Sequence, residues 1–276
     1  MISQKFEARR RLGAKLGMVT ALVACAGCTL ERGGEESSAD APASAPAATA
    51  DAITVSIQGI AQASDGRPVA GVEVCLRTDP TTSTGAACTT SDPAGAWKLT
   101  GVPASAWVAV TFVKDGFFPT LRPIATATSD ITIPRGDGSL VTSAAMSTLM
   151  SAPLDRASGH VVFSTSNPGS SAAVAATVSL SAVGGPPMKP VYFDANGDPM
   201  PGANAGTTGA LANVSPGFYE ITFAGTSVAC KDVGGLYGYP VTMYMPDGLA
   251  RLVLPVVPGF LTAPVAASCT PVVSAN

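Results

Sequence analysis

The chain has 276 residues, of which 46% are hydrophobic and 13% are charged, and it contains 29 glycines and 23 prolines. This composition excludes a largely disordered chain, which needs many charges and few apolar residues, and it favours short strands with many turns over helical bundles. The formal net charge is −3 and five of the 16 basic residues lie in the first fifteen positions, so we expect no nucleic-acid partner.

A positively charged segment and then an apolar run open the sequence. The run extends from Leu16 to Ala24, and the basic residues before it are Lys5, Arg9, Arg10, Arg11 and Lys15. This order is typical of a secretory signal peptide, and the run is shorter than the ~20 apolar residues that a spanning helix needs. We predict that residues 1–24 are a signal peptide, that the chain is exported, and that no later segment spans a membrane.

The apolar run ends in Leu22-Val23-Ala24-Cys25, which resembles the lipobox of bacterial lipoproteins. The resemblance implies that Cys25 is acylated, palmitate included, and becomes the N-terminus of a protein held in a Gram-negative envelope. Because the residue after the cysteine is not Asp, it also implies the outer membrane. Ala26-Gly27-Cys28 is a second candidate, so Cys28 is the alternative acylation site, and an ordinary secretory signal remains a further interpretation. Each buried CH₂ of an acyl chain contributes ~0.8 kcal/mol to membrane binding.

Residues 25–52 contain a stretch of small and polar residues, ERGGEESSADAPASAPAATADA, that begins at Glu31. The stretch has no aromatic or branched aliphatic residue, so it cannot bury enough surface to offset its ordering entropy. Sequences rich in Pro, Ala and Ser behave as extended spacers. We predict that residues 25–52 are a disordered tether between the membrane and the folded part.

From Ile53 onwards, apolar and polar residues alternate in short runs separated by turn signals. Val72, Val74 and Leu76 form one such run, and the segment 91–95, SDPAG, is a turn signal before Trp97. Strands every 8–12 residues with turns between them are typical of an antiparallel sandwich. We predict a first β-sandwich over residues 53–138.

The same residues resemble the carboxypeptidase regulatory-like domain. The matching positions are Gly66, Pro68, Gly71, Val72 and Val74, then Thr90, Asp92, Gly95, Trp97 and Leu99, then Lys114, Gly116 and Phe117. The resemblance covers about residues 53–135 and implies a transthyretin-like, Ig-like β-sandwich. It implies a fold and no activity, because in zinc carboxypeptidases this domain accompanies the enzyme.

The rest of the chain repeats this organisation. Residues 139–156 include a loosely helical pattern, SLVTSAAMSTLMS, and we predict a connector with a short helix. Residues 157–276 again alternate, for example at Tyr219, Ile221 and Phe223, and are predicted to form a second sandwich of the same class. The predicted fold is therefore all-β, with two tandem antiparallel sandwiches after the signal peptide and tether.

Six cysteines are present, and export places the four that follow the leader in an oxidising compartment. Four thiols allow three pairings. If each bridge stays within one sandwich, Cys75 pairs with Cys88 and Cys230 with Cys269. These four cysteines contain no Cys-x-x-Cys spacing of the kind that indicates a zinc site. Acylation of Cys25 leaves Cys28 unpaired, whereas acylation of Cys28 removes Cys25 with the leader, so that only these four thiols remain and all of them can pair.

Two further segments are candidate binding sites. Asp194, Asn196 and Asp198 fit the opening of a calcium loop, but Pro199 and Ala205 occupy positions where such loops need Gly and Glu, so a hairpin turn is the favoured interpretation.

The second segment is a short Gly-rich stretch that contains three tyrosines, Tyr237, Tyr239 and Tyr244. Exposed tyrosines could stack on sugar rings or anchor a protein partner, but the favoured interpretation is that they pack on their own sheet.

Catalytic motifs are not found in the sequence. The only histidine, His160, falls in a predicted strand, and no Gly-x-Ser-x-Gly motif surrounds a serine, so His160 is interpreted as a solvated or hydrogen-bonded strand residue.

We expect that the protein is not an enzyme and that it binds no cofactor. The predicted function is a lipid-anchored binding or scaffold protein that contacts an envelope protein or a glycan. The alternative is an accessory subunit of an envelope assembly or export system whose catalytic activity lies in another chain.

Overall fold

The computed structural model of the chain describes residues 53–79, 81, 87–135, 139–150, 153–166, 173–182, 185–225, 227–232, 238–240 and 249–272. Residues 50–276 form one compact unit. The described residues are arranged mainly in strands, which confirms the predicted all-β fold class. Within these ranges no helix is long and apolar enough to cross a membrane.

The first half of the described chain contains eight strands. They are β1 (Thr54–Ile60), β2 (Gln62–Ala63), β3 (Glu73–Arg77), β4 (Ala87–Thr90), β5 (Ala96–Pro103), β6 (Trp107–Val113), β7 (Thr120–Ala125) and β8 (Ile131–Thr132). A short strand and a helix follow, β9 (Ser139–Leu140) and α1 (Ser143–Met150).

The second half contains nine strands. They are β10 (Gly159–Ser166), β11 (Thr177–Ala182), β12 (Val191–Tyr192), β13 (Thr208–Val214), β14 (Gly217–Ala224), β15 (Val228–Asp232), β16 (Tyr239–Pro240), β17 (Ala250–Val256) and β18 (Leu261–Pro271).

Each half is a two-layer sandwich. In the first half, the sheet β5-β1-β8 packs on strands β4-β3-β6-β7, and the core between them includes Ile57, Val74, Trp97, Val110 and Phe112. In the second half, the sheet β11-β14-β17-β16 packs on strands β12-β13-β10-β18. Apolar residues that alternate with polar ones along the sequence supply both cores, because successive side chains of a strand point to opposite faces.

One sheet runs through both halves. Strand β18 pairs in parallel with β7, with Leu261 opposite Thr120 and Thr262 opposite Leu121, so the layers β4-β3-β6-β7 and β18-β10-β13-β12 join into nine strands with β15. Strands β10 and β18, and strands β1 and β8, are also parallel pairs. The sheets are therefore mixed rather than purely antiparallel, since strands distant in sequence are brought side by side.

The turn at 91–95 shows why a particular sequence is needed there. The side-chain Oδ1 of Asp92 accepts hydrogen bonds from the backbone N–H groups of Ala94 and Ala96, at 2.8 and 2.9 Å. Gly95 has a φ of 76°, and a Cβ at this position would collide with the carbonyl oxygen of Ala61. The turn directs Trp97 into the core, where its ring meets that of Phe112 edge-on at 5.4 Å.

Helix α1 lies within the segment that the sequence analysis assigns to the connector. It begins after Thr142, whose Oγ1 accepts a hydrogen bond from the backbone N–H of Ala145 at 3.2 Å, as an N-cap does. Met146 and Met150 are buried in a small apolar cluster with Phe193, Ala210 and Leu261. The helix is thus fixed to the second sandwich by its apolar side chains.

Candidate functional site

The predicted acylation sites, Cys25 and Cys28, lie outside the described residues, as do the signal peptide and the tether. Acylation therefore stays a prediction of the sequence.

The predicted disulfide Cys75–Cys88 is present and closes a segment of 13 residues. The two cysteines are directly opposite on β3 and β4, and their Cα atoms are 4.0 Å apart. Cys75 lies on the face of β3 opposite the core residues Val74 and Leu76. Strand β4 is at the edge of the large sheet, and Cys88 is exposed to solvent.

The predicted disulfide Cys230–Cys269 is also present, with a sequence separation of 39 residues. It joins opposite residues of β15 and β18. Both cysteines belong to the core of the second sandwich, and Cys269 is 0% exposed. The pairing rule of one bridge within each sandwich is confirmed, because each pair lies on neighbouring strands of the same half.

Glu73, Cys75 and Cys88 form the one group of potential metal ligands found among the described residues. The Oε1 of Glu73 lies 3.4 Å from the Sγ of Cys75. Both sulfur atoms belong to the disulfide, so neither is available as a thiolate ligand. The group is therefore a carboxylate beside a disulfide rather than a metal centre.

The calcium candidate Asp194–Asp198 forms a turn. The Oδ1 of Asp194 accepts hydrogen bonds from the backbone N–H groups of Asn196 and Asp198, at 2.9 and 2.8 Å. The hydrogen bond from Asp198 is the main reason why the pKa of the Asp194 carboxyl is lower than usual. The favoured interpretation, a turn that needs no ion, accounts for these contacts, because the carboxylate has backbone donors of its own.

Of the three tyrosines considered as a possible binding surface, the structure describes only Tyr239, which packs internally and is not part of such a surface. Tyr239 is 0% exposed, and its hydroxyl donates a hydrogen bond to the carbonyl oxygen of Val108 at 2.8 Å. Its ring stacks on Trp107 with the centroids 4.8 Å apart. Tyr239 therefore packs between the sandwiches and cannot contact a ligand in solution. Tyr237 and Tyr244 lie outside the described residues.

His160, at the start of β10, is hydrogen-bonded and fully buried rather than solvated. Its Nδ1 accepts a hydrogen bond from the backbone N–H of Asn213 at 3.1 Å. Burial lowers the pKa of the imidazole, so the ring is neutral near pH 7 and its proton resides on Nε2. This Nε2–H group has no partner among the described residues. An unsatisfied buried donor costs about 1–3 kcal/mol.

A cavity of about 660 Å³ lies beside His160. Segments that are distant in sequence form its wall: the rings at Phe117, Phe118 and Pro119, the helix residues Ser143 and Ser147, the chain 154–156 before β10, and Gly259 between β17 and β18. The ring of Phe118 meets that of His160 edge-on at 5.4 Å. Small-molecule sites usually have volumes of about 300–1,000 Å³ and combine apolar walls with a few polar groups, and this cavity has both features.

Sequence reasoning missed this cavity. It treated His160 alone, and no spacing in the sequence connects it with Phe118 or with α1. The signal that could have directed attention there is weak: a single histidine in a chain of 276 residues, next to an apolar strand. The cavity exists because β7, α1 and β10 converge where the two sandwiches join.

No family model and no curated protein matches the chain. Among solved structures, a minor pilin of Streptococcus agalactiae is 11% identical, with 81% of this chain and 98% of that chain covered and a TM-score of 0.24. The shaft pilin SpaA of Lactobacillus rhamnosus GG is 11% identical, with 80% and 99% covered and a TM-score of 0.23. An ancillary pilin of a streptococcus is 14% identical, with 80% and 64% covered and a TM-score of 0.24. Such TM-scores are too low to support a functional assignment.

Proposed function

We propose that the chain is a lipid-anchored, non-enzymatic protein of a bacterial outer membrane that acts as a binding or scaffold module. The leader sequence and its lipobox-like end support export and acylation. The two disulfides support an oxidising compartment, since such bridges are rare in proteins of the reducing cytosol.

The observation that carries the scaffold role is the continuity of the sheet across the two sandwiches. The β7–β18 pairing and the buried Tyr239 hydroxyl on Val108 tie the halves together, and residues 50–276 form one compact unit. Two independently moving domains would present their loops in variable orientations. A single body instead presents both sets of loops in one fixed arrangement, which suits contact with a large partner.

The resemblance of residues 53–135 to the carboxypeptidase regulatory-like domain also supports a non-enzymatic role. In that family the domain accompanies an activity located elsewhere. By this analogy the chain contributes a surface rather than a reaction, either to a glycan or to a protein of the envelope.

The experiment that tests the anchor is the intact mass of the mature protein from membranes. We expect a chain that starts at Cys25, carries two or three acyl chains and has both disulfides oxidised. The Cys25→Ala variant should lose acylation, and the matched Cys28→Ala variant should retain it. The reverse pattern would show that Cys28 is the acylated residue. Recovery of an unacylated protein in the medium contradicts the proposal.

The binding role is tested by crosslinking and purifying the acylated protein from intact envelopes. A stoichiometric envelope protein supports the accessory-subunit alternative, whereas retention on glycan arrays without other proteins supports direct adhesion. Turnover of a substrate by the purified chain would overturn both.

A further inference from the structure

The cavity beside His160 contains hydrogen-bond donors that the protein does not use. The Nε2–H of His160 is buried and has no partner among the described residues, because the other ring nitrogen already accepts from Asn213. Arg156 lines the same cavity, and no ion pair involves it within the described part of the chain. The site thus combines a neutral N–H donor with a guanidinium, which is a permanent cation.

One carboxylate that lines the cavity, that of Asp155, is already hydrogen-bonded within its own turn. Its Oδ1 accepts from the backbone N–H of Ala157 and its Oδ2 from the hydroxyl of Ser158, each at 2.9 Å. Both of its oxygens are therefore engaged by the turn that precedes β10. The buried Nε2–H of His160 therefore lacks an acceptor among the described residues, whereas the guanidinium of Arg156 is exposed and can bind either water or an acceptor group of a ligand.

Much of the remaining wall is apolar, although Ser143 and Ser147 of α1 also line the cavity. Phe117, Phe118 and Leu154 are half-buried and line the cavity together with Pro119. Such a wall favours a ligand with an aromatic or aliphatic body, since apolar surface removed from water is stabilising. The volume of about 660 Å³ accommodates a body considerably larger than one ring.

We propose that this cavity binds a small carboxylate with an apolar or aromatic body, whose oxygens accept hydrogen bonds from His160 and Arg156. A carboxylate provides several acceptor sites and the negative charge that pairs with a guanidinium. The proposal goes beyond the envelope role and does not depend on the lipid anchor. Its failure would leave the anchoring proposal intact, and loss of acylation would leave the cavity unaffected.

The test uses the full chain labelled with ¹⁵N, because its single histidine gives one unambiguous pair of imidazole nitrogen signals. Phenylacetate is the probe, and 2-phenylethanol, which has the same ring but no charge, is the matched control ligand. We expect phenylacetate to shift the Nε2 signal of His160 saturably at up to about 10 mM, and 2-phenylethanol to bind at least about tenfold more weakly. Equal binding of the two, or no saturable shift with phenylacetate, overturns the proposal.

Two pairs of variants locate the binding. Arg156→Gln should weaken phenylacetate about tenfold, whereas Arg135→Gln, the same charge change at another exposed position, should leave the affinity unchanged. Ser147→Phe places a ring at the cavity wall and should block binding. Ala145→Phe adds the same ring to an exposed position of α1 outside the lining residues and should not. Equal effects within either pair would contradict binding at this site.

Discussion

Trp107 and Tyr239 lie face to face where the two sandwiches meet, with ring centroids 4.8 Å apart and planes inclined by 3°. Trp107 belongs to β6 in the first half and Tyr239 to β16 in the second, and they are separated by more than a hundred residues of sequence. The hydroxyl of Tyr239 donates to the carbonyl oxygen of Val108, the neighbour of Trp107. Burial raises the pKa of this hydroxyl, so it remains a protonated donor.

Removing only that hydroxyl tests how much it contributes to joining the halves. We expect Tyr239→Phe to lower the free energy of unfolding by about 1–3 kcal/mol, because the carbonyl of Val108 then lacks its buried donor. Urea denaturation followed by tryptophan fluorescence measures the change. Tyr219→Phe is the control, since Tyr219 is buried but has no described side-chain hydrogen bond. A loss of equal size in both variants would show that the contact with Val108 contributes nothing specific.

The two disulfides are expected to differ in their reaction with a mild reductant under native conditions. Cys88 is exposed on an edge strand, whereas Cys230 and Cys269 are buried in the core. Because thiol–disulfide exchange requires access of the attacking thiolate to a sulfur, Cys75–Cys88 should be reduced first. Alkylation followed by mass spectrometry of peptides gives the order.

Glu73 provides a second test of the same disulfide. Its carboxylate lies 3.4 Å from the Sγ of Cys75 and should repel an incoming thiolate. We therefore expect Glu73→Gln to speed the reduction of Cys75–Cys88 and to leave that of Cys230–Cys269 unchanged. Reduction of the buried bridge first, or an unchanged rate in the variant, would refute this account.

Gly95 is expected to tolerate no side chain. Gly95→Ala adds a Cβ against the carbonyl oxygen of Ala61 at a φ of 76°, so both a collision and an unfavourable backbone conformation result. Gly66→Ala has only the second problem, because its φ is 83° and nothing lies within 4 Å of the added atom. We expect a loss of about 1 kcal/mol for Gly66→Ala and about 2–4 kcal/mol for Gly95→Ala, measured by denaturation. Equal losses would mean that the collision is relieved by movement of the loop.

Acidification should weaken the fold through His160. Burial holds its pKa below that of the unfolded chain, so the unfolded state binds the proton more readily. The stabilising contribution is complete above the unfolded value of about 6.5 and is lost as the pH falls from there towards the folded pKa. Since the chain has one histidine, the change in the free energy of unfolding between about pH 7 and pH 5 reports on the titration of His160.

The variant His160→Gln supplies the comparison for this titration. It removes the titrating group, so its stability should change less over the same range of pH, whatever its stability at neutral pH. Parallel curves for the two proteins would show that another group is responsible.

The sequence alone was enough to predict the all-β class, the sandwich layers and the disulfide pairs. These features depend on local order: alternation such as that of Tyr219, Ile221 and Phe223 determines which side of a strand is buried, and the turn at 91–95 needs Asp92 and Gly95 in place. The expectation that each bridge stays within one sandwich selected Cys75–Cys88 and Cys230–Cys269.

Tertiary structure alone decided that β7 and β18 pair, that Tyr239 is buried on Val108, and that His160 stands at a cavity with Phe118 and Arg156. These contacts join segments separated by tens to more than a hundred residues, and no period or spacing in a sequence records which strands become neighbours. The parallel pairing also brings Leu261 of the last strand beside Thr120. A short-range pattern specifies which face of a strand is apolar, whereas the partner of that face is selected only when the whole chain packs.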